Sequence, residues 1–184
     1  MGKIALVVGP HGVGKSTLFK FARSTGDVIV FEGIELPTDG YNLSKKADFL
    51  AYEALYVENI NKNNRLIKDA DRDGLVVRSI EESSYYFHFY CGENVMGEYK
   101  EIFDNEKNIK SDCIFFLDAD FDILQARCKN DSVRDMEETK SWYQNEYTRY
   151  IEYWKSYPGV ITIDTDDRTI ASIYDEIKHI MQTM

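Results

Sequence analysis

The first sixteen residues hold the feature that most restricts this chain. Ile4–Val8 is a short apolar run rich in β-branched residues, and it runs into Gly9-Pro10-His11-Gly12-Val13-Gly14-Lys15-Ser16. The octapeptide fits G-x-x-x-x-G-K-[ST] at every fixed position. Glycines let successive backbone N–H groups turn inward as a nest for phosphate oxygens. Lys15 adds a cation reaching the β- and γ-phosphates, and Ser16 a hydroxyl for Mg²⁺. A helix expected to begin near Lys15 points its N-terminal dipole at the same anion. A strand before and a helix after are what this chemistry requires, so an ordinary glycine turn is the lesser reading. Gly9, His11, Gly12, Val13, Gly14, Lys15, Ser16 and Thr17 therefore form the expected nucleoside triphosphate site. The His11 imidazole, like those of His88 and His179, has no second ligand placed beside it by sequence and reads as structural or solvated.

Four more short apolar runs follow, at 28–31, 75–77, 113–117 and 160–163. Such runs suit strands buried on both faces, and each is followed by a helical pattern, which implies a parallel sheet covered on both sides. Helices are expected at 44–67, about 95–106, Phe121–Lys129, 135–156 as one long helix, and 168–181, while 83–91 is ambiguous between helix and loop. In the first of these, Leu43, Ala47, Leu50 and Ala54 are the expected buried stripe, with Phe49, Tyr52, Glu53 and Tyr56 on a more polar flank. In the long helix, Tyr143, Tyr147, Tyr150 and Trp154 form one stripe, read as a single packing seam. The 184 residues suit one α/β domain, 1–184.

Composition narrows the function classes. With 22 basic residues against 32 acidic ones and a net charge of −10, sequence-blind binding to nucleic acid is disfavoured, although a local anion pocket is not. Cys91, Cys113 and Cys128 are odd in number and widely spaced, which suits neither a disulfide framework nor a zinc ribbon. There is no apolar run long enough to span a membrane and no signal-like start. A cytoplasmic protein is the expectation.

In open parallel sheets ligands lie beyond the carboxyl ends of the strands. That rule selects Glu32, Arg78 and Asp118, each just after an apolar run. A carboxylate there can hold Mg²⁺ or take a proton from an attacking hydroxyl; an Arg matches phosphate oxygens with planar donors. For Asp118, metal binding is the lesser reading.

In this order the residues resemble the deoxynucleoside kinases and thymidylate kinases. The resemblance rests on the loop from Gly9 to Thr17, on Phe31-Glu32-Gly33, and on Val77-Arg78-Ser79 followed by Ser83-Ser84-Tyr85-Tyr86-Phe87. It continues through Phe116-Leu117-Asp118, the Ala126-Arg127-Cys128-Lys129 to Arg134-Asp135-Met136-Glu137 stretch, Tyr150 with Trp154, and Val160-Ile161-Thr162-Ile163-Asp164. It implies a three-layer P-loop kinase fold, with a five-stranded parallel sheet and a short lid at about 127–137. It implies ATP as phosphate donor with Mg²⁺, and transfer to the 5′-hydroxyl of a nucleoside or deoxynucleoside. Lys15, Glu32 and Arg78 would be catalytic, Glu32 as the base and a further Mg²⁺ contact beside Ser16. Lys129 and Arg134 would close over the phosphates, and Tyr52, Glu53, Tyr56, Arg78 and Phe87 would meet the acceptor.

The chain departs from the pattern at Val77, where an acidic residue is usual, at Gly33 in place of Pro, and at Ile60, near where thymidylate kinases place an Arg. The last tilts the reading from monophosphate acceptors to nucleosides. A thymidylate kinase-like monophosphate kinase and a catalytically weak nucleotide-binding module are the alternatives. Related kinases commonly pair through helices beside the third strand, so a homodimer stays open.

Overall fold

The computed structural model describes residues 1–34, 36, 40–42, 45–90, 96–129 and 136–184, with 86–90, 96 and 136–138 as backbone alone. Five parallel strands form one sheet: β1 (Ile4–Val8), β2 (Ile29–Phe31), β3 (Gly74–Val76), β4 (Cys113–Asp118) and β5 (Val160–Asp164), in the order β2-β3-β1-β4-β5. The helices among the described residues are α1 (Lys15–Thr25), α2 (Lys46–Asp69), α3 (Ile80–Tyr90), α4 (Met96–Phe103), α5 (Phe121–Lys129), α6 (Met136–Asn145), α7 (Tyr147–Ser156) and α8 (Ile170–Thr183).

The alternation of side chains along the central strand builds the layers. Ala5 and Val7 enter one core with Leu18, Phe19 and Ala22 of α1, Leu124 of α5, and Ile173, Tyr174 and Ile177 of α8. Ile4, Leu6 and Val8 enter the other with Ile67 of α2, Tyr85 of α3, and Tyr150 and Trp154 of α7. A smaller cluster of Val57, Ile60, Ile80, Tyr99 and Phe103 joins α2, α3 and α4. This is the expected three-layer α/β architecture. The ambiguous 83–91 stretch lies mostly in α3, which starts where the Ser79 hydroxyl accepts the Glu82 N–H at 3.2 Å.

Two expectations need correction. The helix expected over 135–156 is two, because Glu146 departs from helical geometry at φ −117°, against about −63° for a regular turn. The aromatic stripe divides at that break: Tyr143 and Tyr147 pack on the α1/α5/α8 core, Tyr150 and Trp154 lie in the other. In α2, Ala47 and Ala54 are exposed, and the buried face instead carries Val57, Ile60, Asn64 and Ile67. Phe49, Leu50 and Tyr56 extend packing towards the N-terminal end of α2 against the smaller cluster. That end meets α4, so its buried face is set by a helix distant in sequence and not by the alanine spacing.

Candidate functional site

The loop between β1 and α1 is locked by backbone geometry. Gly9, Gly12 and Gly14 hold φ of 151°, 81° and 100°, values that a side chain strongly disfavours. A Cβ on Gly9 would lie 2.6 Å from the Leu117 carbonyl oxygen, and one on Gly12 2.8 Å from the Cys128 sulfur. The Lys15 ammonium folds onto the loop, bonding the Gly9 carbonyl and, at 3.0 Å, that of Pro10. Ser16 and Thr17 are exposed in the first turn of α1, while Val13 is buried beneath the loop.

Long-range aromatics hold this loop from outside. The Gly9 N–H donates to the Tyr150 hydroxyl at 3.1 Å, and the Tyr143 hydroxyl donates to the His11 carbonyl at 2.5 Å. The His11 ring packs on Trp142 with centroids 4.4 Å apart. His11 thus has a structural contact, and part of the aromatic seam is a brace for the phosphate loop.

A 530 Å³ cavity opens beside the loop, lined by Gly12 to Thr17, Lys20, Arg127, Thr165 and Arg168 among others. Arg127 bonds the Thr165 hydroxyl at 3.1 Å and its carbonyl at 3.0 Å. Arg168 bonds the Asp164 carbonyl at 3.2 Å and Glu176 at 2.5 Å. Two planar cations therefore stand, already oriented, at a cavity that ends on the loop. Thr165 directly follows β5, where the strand-end rule applies, and Arg168 lies three residues further on, just before α8; neither is among the residues selected from the sequence. Lys129, two positions from Arg127 on α5 and hence on another side of that helix, is exposed and lines a separate groove with Phe121, Gln125, Cys128, Thr139 and Lys140. Arg134 lies outside the described residues, as does most of the expected lid; Phe87 lies in α3, its side chain likewise outside them.

On the other side of the loop, Arg78 follows β3 and bonds Glu82 Oε1 at 2.7 Å. Glu82 is 5% exposed. Burial pushes its carboxyl above the usual range, against the pull of Arg78 and of Lys15. The same group of charges reaches α2. Burial raises the Tyr56 phenol, partly offset by Arg78, with Glu82, Glu53 and Tyr52 acting in the raising direction. Burial alone lifts the Glu53 carboxyl to about 7. Tyr56 is thus within electrostatic reach of Arg78, Glu82, Glu53 and Tyr52, and Glu82, which stands at no strand end, is a site candidate that only the folded structure brings out. Glu32, just past β2, bonds Arg23 of α1 at 2.7 Å. Asp118 pairs with Lys155 at 2.5 Å. Ile60 is buried in the α2–α3–α4 cluster.

Among the described residues no set of three His, Cys, Asp or Glu side chains converges as a metal cage. Mg²⁺ typically keeps several waters and leans on one or two protein oxygens plus substrate phosphates. The exposed Ser16 hydroxyl at the loop fits that mode of binding. Among the described residues, no helix is long and apolar enough to cross a membrane.

Neither a protein-family model nor a curated protein matches the chain. Solved structures do. Deoxyadenosine kinase from M. mycoides with the products dCMP and a flexible dCDP bound aligns over 99% of this chain and 100% of its own, with TM-score 0.65 and 15% identity. Thymidylate kinase from Candida albicans aligns over 99% and 92%, with TM-score 0.62 and 13% identity. The M. mycoides enzyme with bound dATP aligns over 98% and 99%, with TM-score 0.51 and 14% identity. The chain has the P-loop fold of the deoxynucleoside and thymidylate kinases.

Proposed function

We propose that this protein is a kinase that transfers the terminal phosphoryl group of ATP to the 5′-hydroxyl of a nucleoside or deoxynucleoside. One observation carries the reading: β1, which runs into the loop bearing Lys15, pairs directly with β3, after which Arg78 follows, bonded to the buried Glu82 at 2.7 Å. The cation that meets the donor phosphates and the cation nearest the α2 flank therefore belong to one site.

The donor phosphates would lie in the loop, its N–H groups and the α1 dipole favouring their charge. Lys15 would exchange the Gly9 and Pro10 carbonyls for phosphate oxygens. Mg²⁺, with Ser16 as its protein ligand, would supply neutralisation of the phosphate charge. The donor base fits the cavity edged by Arg127, Thr165 and Arg168, where a guanidinium plane offers a stacking surface. Arg78 would orient the phosphoryl group and acceptor, with Tyr52, Glu53 and Tyr56 along the acceptor. The comparisons support this through fold, and the kinases they name act on related compounds.

A thymidylate kinase-like activity needs a cationic pocket for an acceptor phosphate, and the burial of Ile60 among apolar side chains leaves that position unavailable to charge. Val77 favours the third reading, a nucleotide-binding module without transfer. A cytoplasmic setting and a homodimer would accompany that kinase.

The test is ADP release from Mg-ATP across nucleosides, deoxynucleosides and their monophosphates. Stimulation by a nucleoside is expected. Stimulation by monophosphates alone would move the protein to the thymidylate-kinase side, and ATP binding with no stimulated release would leave the module.

A further inference from the structure

A second cavity, of 470 Å³, opens between α5 and α6, a size usual for small-molecule sites. It shares no lining residue with the donor cavity. Phe121, 42% exposed, and Tyr143 give it an aromatic wall, their rings edge to face with centroids 5.6 Å apart. The Gln125 and Gln144 amides line it too, with two ammonium groups, Lys129 from α5 and Lys140 from α6. Among the described residues no carboxylate lines this cavity, and neither lysine has an ion-pair partner. In a chain of net charge −10, two uncompensated cations at one small cavity are a local exception, and they favour an anion there. The aromatic wall adds a second demand, since only a ring covers Phe121 and Tyr143 well.

The same cavity backs the phosphate loop. Cys128, 2% exposed, has its sulfur where a Cβ on Gly12 would meet it at 2.8 Å. The Tyr143 hydroxyl lies 3.9 Å from that sulfur and donates to the His11 carbonyl at 2.5 Å. Two side chains that wall the cavity therefore also touch the loop.

We infer that this cavity binds a small aromatic anion, apart from donor and acceptor, and that its occupant tightens ATP on the loop. The ring lies against Phe121 and Tyr143, and the anionic group meets Lys129 and Lys140. A ligand that fixes Tyr143 and Cys128 reduces the freedom the loop loses when phosphates bind, so the two ligands help each other. By linkage the help is equal in both directions. The site goes beyond the kinase reading, and its test reads binding alone, so failure of one leaves the other standing.

The probe is anilinonaphthalene sulfonate, a fluorescent aromatic anion, titrated with and without saturating Mg-ATP. One saturable site per chain is expected to persist when ATP fills the loop, each ligand tightening the other about fivefold or more. Lys129→Gln combined with Lys140→Gln should weaken the probe about tenfold or more, as for losing a hydrogen bond to a charged group. Both side chains are exposed, so the melting temperature should hold. The uncharged parent, phenylnaphthylamine, should also bind about tenfold more weakly. Displacement of the probe at saturating Mg-ATP by aromatic carboxylates, or by nucleoside monophosphates, assigns the natural class; displacement by neither overturns the inference. Competition between probe and ATP would put the probe in the donor cavity and overturn it. So would equal probe affinity in the lysine variant, or equal affinity of the uncharged parent. ATP affinity unchanged by bound probe would remove the coupling. Lys129→Gln alone weakening Mg-ATP while leaving the probe unaffected would return Lys129 to the donor phosphates, against the inference.

Discussion

The two sides of the phosphate loop are built on opposite principles. On the donor side, the loop's shape comes from glycines in conformations other residues avoid, and its neighbours satisfy one another. Tyr150 bonds Gly9, Tyr143 bonds His11, and Arg127 bonds Thr165. On the side proposed for the acceptor, groups are held in states they would not adopt in water. The Glu53 carboxyl is lifted to about 7 by burial, and Glu82 keeps a buried oxygen without a partner among the described residues. The first arrangement suits a ligand shared by many proteins, whose phosphates need only a fixed nest. The second stores unfavourable electrostatics that a ligand donating hydrogen bonds there would relieve, which is how specificity is built from polar groups.

The largest expected effect tests whether the two sides form one machine. Lys15→Ala should lower phosphoryl transfer by about 10³-fold or more, and Arg78→Ala by about 10²-fold, in the range for losing a charge-stabilising donor. Single-turnover transfer from ATP checks both. Substantial turnover in the Lys15 variant would remove the loop from the chemistry. If Arg78→Ala raises the acceptor KM alone, Arg78 serves binding and not the moving phosphoryl group.

The same contrast explains how much was legible in the sequence. The loop could be read because every residue it needs is local, and the strands because a run buried on both faces must be apolar. That Arg78 stands just past β3 and that Tyr52, Glu53 and Tyr56 lie on one helix was legible from strand ends and helical spacing, while the roles given to them are proposals. The burial of Glu82 against Arg78 was not, since it is a tertiary fact. The division of 135–156 into α6 and α7 was hidden because Tyr143, Tyr147, Tyr150 and Trp154 keep helical spacing across Glu146. The spacing carried no sign that the first pair would pack on one face of the sheet and the second on the other. Ala47 and Ala54 misled because alanine is as comfortable exposed on a helix as buried in one.

A smaller effect probes the brace. Tyr150→Phe leaves the buried Gly9 N–H without its acceptor, which costs about 1–3 kcal/mol. Tyr143→Phe leaves the His11 carbonyl without this donor and should cost about 1 kcal/mol. Thermal unfolding measures the loss, and ATP affinity should weaken in parallel because the loop is less preorganised. Loss of melting temperature with unchanged ATP affinity would show that the aromatics serve the core alone.

The smallest effect belongs to Glu53 and separates the two sides by pH. Its carboxyl is raised from about 4.5 to about 7 by burial, so in the unfolded chain it releases its proton at lower pH than in the folded one. Between those values the folded state binds more protons, and stability falls as pH rises through this window. Below it the group is neutral in both states and exacts no penalty; above it the penalty is complete. Glu53→Gln, which keeps the shape and removes the charge, should therefore raise the melting temperature at pH 8 by a few degrees and change it little at pH 4. A nucleoside that donates a hydrogen bond to Glu53 would favour its ionised form and lower its pKa, so acceptor binding near neutral pH would release protons. Calorimetry in buffers of different ionisation enthalpy measures that release, and its disappearance in Glu53→Gln would place the side chain against the acceptor. A melting curve equally pH-dependent in both proteins would instead mean that the α2 flank is packing, with no stored charge for a ligand to relieve.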